Sequence, residues 1–196
     1  GQCHGCPKGH YCVSGAEQPA PCPNGTYGAE PRLQSAQCSG ACSKGHYCPR
    51  GSTISTQRPC EAGTFNSAEG GTNANACQPC PRGTSSVAGA SECSVCAAGF
   101  FLRDLSLEPN QANCKPCSDL DGAECGWNAT LRTIKMQSNH WRLSDRTLDI
   151  RKCDARPDRP PDDPTPCIGS AGATYCASGL HGPLCRVCVA SYHHFD

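Results

Sequence analysis

Large apolar side chains occur singly along much of this chain, and several sit just after a glycine. Gly9-His10-Tyr11, Gly25-Thr26-Tyr27, Gly45-His46-Tyr47, Gly63-Thr64-Phe65 and Gly99-Phe100-Phe101 repeat one small element: a cysteine, a short link, a glycine and an aromatic. Glycine supplies the positive φ of a tight turn. The aromatic is the only large apolar group of each element, so it is expected to pack on the neighbouring disulfide as a miniature core. Gly83-Thr84-Ser85 departs from the pattern and is expected to mark the weakest unit. The longest apolar run, Ala97 to Leu102, is far short of a membrane span.

The pattern changes after Cys125. Residues 126–152 contain no cysteine but hold both tryptophans, Trp127 and Trp141, with Leu131, Ile134, Met136, Leu143, Leu148 and Ile150. This segment is expected to carry the one conventional small core. Leu131 to Met136 and Trp141 to Leu143 read as a hairpin across Gln137-Ser138-Asn139. Residues 154–166 are charged and proline-rich, which predicts a stiff exposed loop.

Composition explains how so sparse a pattern can fold. Leu, Ile, Val and Phe make up about 12% of the chain, below the level at which apolar burial alone sustains a fold. Twenty of the 196 residues are cysteine, above the density that marks a disulfide scaffold. Cross-links therefore replace the core, and the chain is expected outside the cell or at its surface, where disulfides persist. Lys+Arg and Asp+Glu number 17 each. That balance argues against nucleic acid, which needs a basic stripe. No basic cluster suggests membrane contact. No signal peptide is visible, so the chain reads as a mature or excised piece of something longer.

The cysteines repeat. Residues 6–38 space them by 5, 9 and 15 residues, and residues 42–77 by 5, 11 and 16. Connectivity is not deducible from sequence alone, but one regular rule uses almost all of them. Each cysteine before a glycine-aromatic turn joins the next: Cys6–Cys12, Cys22–Cys38, Cys42–Cys48, Cys60–Cys77, Cys80–Cys93 and Cys96–Cys114. Continued, it gives Cys117–Cys125, Cys153–Cys167 and Cys176–Cys185. Cys3 and Cys188 are left over, with partners expected beyond the chain.

The strings CPNGTYG, CEAGTFNSAEGG, CQPCPRGT and CSVCAAGFF within residues 6–117 resemble the ephrin-receptor-like cysteine-rich repeat of large protist and algal surface proteins. Residues 176–195, with Cys176, Gly179, Gly182, Cys185 and Cys188, resemble the closing turn of an EGF or laminin-type EGF module. Asn139 to Leu143, followed by Cys153 and Cys167-Ile168-Gly169, resembles the stretch that often follows such repeats in protist membrane proteins. There, Ser138-Asn139-His140 stands for Gly-Tyr and Ser170 for a second glycine. The resemblance implies a small disulfide-rich fold, an elongated tandem array of modules with short β-ribbons and little helix. The segments are 1–41 and 42–79 (two repeats), 80–117 (short repeats), 118–166 (the tryptophan segment and proline-rich loop) and 167–196 (a truncated EGF-like tail). It implies a non-catalytic spacer or adhesion role and names no catalytic residue.

The remaining chemistry is thin. The pairs Cys3/Cys6, Cys77/Cys80, Cys93/Cys96, Cys114/Cys117 and Cys185/Cys188 have zinc-ligand spacing. They also fit as junctions, one cysteine closing a unit and the next opening another. Zinc at Cys77, Cys80, Cys93 and Cys96 would strand Cys60 and Cys114, so the junction reading is preferred. No thioredoxin-like βαβ pattern surrounds Cys-Gln-Pro-Cys or Cys-Lys-Pro-Cys. His10 and His46 occupy equivalent repeat positions, which favours a structural role. His193-His194 reads as a solvated pair. Asp119 and Asp121 could contribute to a calcium site between modules, though two acids two apart are a weak signal when calcium wants six or more oxygens. Asn24-Gly25-Thr26 and Asn128-Ala129-Thr130 are N-glycosylation sequons. The sequence thus predicts no enzyme, metal or cofactor. It predicts a structural or adhesive segment of a larger surface glycoprotein, with neighbouring modules, other surface proteins or glycans as partners. The alternative is a ligand-binding receptor ectodomain.

Overall fold

The computed structural model describes residues 5–153, 166–169, 176–177, 180–181, 183–185 and 187–188. The fold is small and disulfide-rich, built from two- and three-residue strands with three short 3-10 turns. The chain divides into two compact units, Gly1–Ser94 and Val95–Asp196.

Within the first unit one hairpin recurs. His10–Tyr11 pairs with Ala20–Pro21, Thr26–Tyr27 with Gly40–Ala41, His46–Tyr47 with Arg58–Pro59, and Thr64–Phe65 with Gln78–Pro79, all antiparallel. Each begins at a four-residue turn closed by a backbone hydrogen bond, as from His10 N to the Pro7 carbonyl at 3.2 Å. The third turn residue is Gly9, Gly25, Gly45 or Gly63, with φ between 75° and 84°, which is what a type II turn demands. Pro21, Pro59 and Pro79 end three of the returning strands. A proline has no N–H to give, so the ladder stops there.

The hairpins stack through a second backbone pattern. Arg32, Gly51, Gly70 and Gly89 lie 19 residues apart and all have positive φ. Their N–H groups donate to the carbonyls of Cys6, Cys22, Cys42 and Cys60 at 2.8–3.0 Å. A Cβ added to Gly25 would lie 2.5 Å from the Gly70 carbonyl oxygen, and one on Gly45 would strike the Gly89 carbonyl. Contacts thus reach the second neighbour along the stack, beyond the nearest-neighbour contacts that local bridges alone imply.

The core of this unit is its sulfur. Cys22, Cys42, Cys48 and Cys60 are at most 1% exposed, whereas Tyr11, Tyr27, Tyr47 and Phe65 are only half-buried. The expectation that each aromatic forms a miniature core is corrected for these four rings, since a pair of two-residue strands is too small to enclose one; Phe100, in the next element, does pack on the Cys96–Cys114 bridge. Nor does the Gly83-Thr84-Ser85 unit lack support. Ser86 is fully buried, its hydroxyl donates to the Thr64 carbonyl at 2.7 Å, and Thr84 donates to Pro81 at 2.7 Å.

The second unit continues the theme around a conventional core. Phe100–Leu102 pairs antiparallel with Cys114–Pro116 and parallel with Ala129–Thr130. Phe101, Ala129, Ile134 and Met136 are buried together, with Leu120, Leu131, Trp141, Leu148 and Ile150 packed around them. The expected small core is therefore present, but it recruits Phe101 and Leu120 from earlier in the chain and leaves Trp127 55% exposed.

The expected hairpin is also redrawn. Gln137 to His140 does turn, but its two arms pair elsewhere. Lys135–Met136 pairs with Ala123–Glu124, and His140–Arg142 with Ile150–Lys152. Asn139, φ 69°, takes the glycine position of the repeated turn, and its carbonyl accepts from Cys153 N as the Gly9 carbonyl accepts from Cys22 N. Met136 stands where the opening cysteine stands in the other units. Burial of a thioether there replaces a cross-link.

Candidate functional site

Eight bridges are formed among the described residues: Cys22–Cys38, Cys42–Cys48, Cys60–Cys77, Cys80–Cys93, Cys96–Cys114, Cys117–Cys125, Cys153–Cys167 and Cys176–Cys185. Each joins a cysteine to the next along the chain, across 6 to 18 residues. Their Cα–Cα distances of 5.2–6.2 Å suit an unstrained bridge. No loop encloses another. Cys77/Cys80, Cys93/Cys96 and Cys114/Cys117 each divide between two bridges, as the junction reading has it.

Cys6 and Cys12 depart from the rule. Cys6 is a buried free thiol, its sulfur 3.7 Å from the Leu33 carbonyl oxygen. In the equally spaced Cys42–Cys48 pair both sulfurs sit against the Ser55 carbonyl, inside their own unit. Cys6 turns instead toward the loop stacked on it, so equal spacing did not fix equal pairing. Cys3, most of residues 154–166, and His193-His194 lie outside the described residues, as does the side chain of Cys188.

The sequon residues Asn24 and Asn128 are both exposed. Asn24 is the second residue of the Pro23–Thr26 turn, where Thr26 Oγ1 donates to Pro23 at 2.8 Å. Asn128 has φ 54° and donates its N–H to the Cys96 carbonyl at 2.9 Å.

The repeat histidines share one local geometry. Nδ1 lies 3.2, 2.9 and 3.1 Å from the carbonyl two residues back in His10, His46 and His140. A carbonyl only accepts, so Nδ1 carries the proton and Nε2 faces away. His140 is 8% exposed and its Nε2 lies 3.8 Å from Asp121 Oδ2, too far for a hydrogen bond. Lys152 Nζ reaches the same oxygen at 3.4 Å. Asp121 therefore faces two basic groups. Among the described residues no three His, Cys, Asp or Glu side chains converge as a metal site, and no helix is long and apolar enough to cross a membrane.

One residue escaped sequence reasoning altogether. Arg142 is 1% exposed. Its guanidinium donates to the carbonyls of Leu131 at 2.8 Å, Ile134 at 3.3 Å and Arg132 at 3.4 Å. It does for the 131–134 turn what a bridge does elsewhere. Trp141 beside it packs against both the apolar core and the sulfur cluster of Cys153, Cys167 and Cys185.

No protein-family model matches the chain, and a search of curated protein sequences finds no match either.

Proposed function

We propose that this chain is a non-catalytic spacer or adhesive segment of a larger extracellular or cell-surface glycoprotein, related to the ephrin-receptor-like and EGF-like modules it resembles. Bridges of this number suit an oxidising compartment. The observation that carries the reading is the serial closure of the bridges: among the described residues, eight short loops, none enclosing another, joined in the first unit by stacked turns with the same hydrogen bonds. Such a chain is built to hold length, with stability contributed locally. Asn24 and Asn128 are exposed at turns and supply its attachment points for sugar.

Pulling on the two ends tests the spacer role. The oxidised chain should reach at most slightly more than half of its reduced contour length. An oxidised chain that extends to its full contour would end this reading.

A further inference from the structure

The chain is neutral overall, yet one place on it is not. In the Val95–Asp196 unit an open cleft of about 520 Å³ is lined by Arg103, Arg132 and Arg146, with a single carboxylate, Asp104. The size falls within the roughly 300–1,000 Å³ of ligand sites. Among the described residues no carboxylate pairs with any of the three guanidiniums within 4.0 Å. Asp104 is already engaged: it accepts from the Ser106 hydroxyl at 2.7 Å and the Ser106 N–H at 2.9 Å. These bonds, with Arg103 beside it, hold its carboxyl below the usual range.

The cleft is also pre-formed. Buried Arg142 fixes the turn that carries Arg132 by donating to the Leu131 and Arg132 carbonyls. Thr147 Oγ1 accepts from Asp149 N at 3.1 Å and shapes the loop beside Arg146. Three fork-shaped cations on fixed turns can each offer two N–H groups to two oxygens of a sulfate or carboxylate. The lining has no aromatic ring on which a nucleobase could stack. No lining residue belongs to a strand, so a peptide has no sheet edge to join there. Leu131 and Leu148 offer an apolar flank for the C–H face of a sugar ring.

We infer that this cleft binds the sulfate or carboxylate groups of an acidic glycan. The inference deepens the adhesive half of the proposed role and rests on that reading for placing the chain where such glycans occur.

The test uses the whole oxidised chain and calorimetry at about 0.15 M salt, where long-range attraction between exposed charges is largely screened. The probes are sulfated heparin oligosaccharides, carboxylated oligouronates, a neutral glucan and polyglutamate. R103Q/R132Q/R146Q is compared with R50Q/R58Q/R82Q, which removes the same charge from exposed positions in the Gly1–Ser94 unit. All six arginines are exposed, so neither variant disturbs a buried contact.

The cleft variant should lose at least about tenfold in affinity for an acidic glycan, the scale of one charge-assisted hydrogen bond. The control should stay near wild type. Preference between the sulfated and uronate probes identifies the group. Equal losses in both variants, equal binding of polyglutamate, or no acidic-glycan binding would each overturn the inference. None of these outcomes alters the extension measurement, so the spacer reading stands or falls separately.

Discussion

Among the described residues no loop encloses another, so a chain pulled from its ends passes through these bridges in series. The eight loops span 16, 6, 17, 13, 18, 8, 14 and 9 residues. Together they hold back about 100 residues, or roughly 300 Å at ~3.4 Å per extended residue after subtracting the ~6 Å each bridge spans. The fully reduced chain should extend to about 670 Å and the oxidised chain, held by at least these eight bridges, to no more than about 370 Å by the same figure. Single-molecule force spectroscopy with and without reductant reads that difference directly. Reduction under load should release it in discrete steps, the Cys96–Cys114 loop giving the longest and Cys42–Cys48 the shortest. A contour near 670 Å without reductant would refute serial closure. Fewer, much longer steps would mean that bridges connect distant units.

Other expectations follow from single residues. Arg142→Met leaves the Leu131, Arg132 and Ile134 carbonyls without their donor and should cost roughly 2–5 kcal/mol; a urea midpoint unchanged from wild type would contradict it. Gly45→Ala forces a Cβ into the Gly89 carbonyl at a positive φ, so it should destabilise the Gly1–Ser94 unit, seen as lost hydrogen-exchange protection at Cys60 and Gly89. Arg32→Gly should do the reverse and stabilise by about 0.5–1 kcal/mol, since Arg32 holds φ 65° where its three counterparts are glycine. Protein from its native source should lose mass on glycosidase treatment, with peptide mapping placing the sugar on Asn24 and Asn128.

Much of this fold was legible because cysteine spacing is a strong local signal. A loop of 6 to 18 residues leaves few partners within reach, and the rule of joining each cysteine to the next describes the eight bridges formed. The glycine-aromatic motif likewise located the turns, though it overstated the aromatic. What was illegible depended on substitution within the pattern. Asn139 replaces the turn glycine and Met136 the opening cysteine, so the unit around them read as an unrelated hairpin. Asparagine enters the left-handed region more readily than most residues with a side chain, and that tolerance was the available clue. The burial of Arg142 left no trace in the sequence, since arginine is ordinarily a surface residue. The cleft was hidden for the same reason: its three arginines are 14 to 43 positions apart and meet only after the turns at 103, 132 and 146 have formed.

Serial closure also bears on how such a chain is made. A polypeptide entering an oxidising compartment emerges from its N-terminal end at about 5–20 residues per second. In each of the eight bridged pairs, the first cysteine meets its partner before the next pair has arrived, and a wrong partner is seldom present. Stacking lags behind oxidation: the turn at Gly25 is covered only when Gly70 has emerged, and that at Gly45 when Gly89 has. Biosynthesis therefore lays down a cross-linked but loosely docked string first and tightens it two modules behind the point of entry. Added modules would lengthen the product without changing the order in which the earlier ones mature.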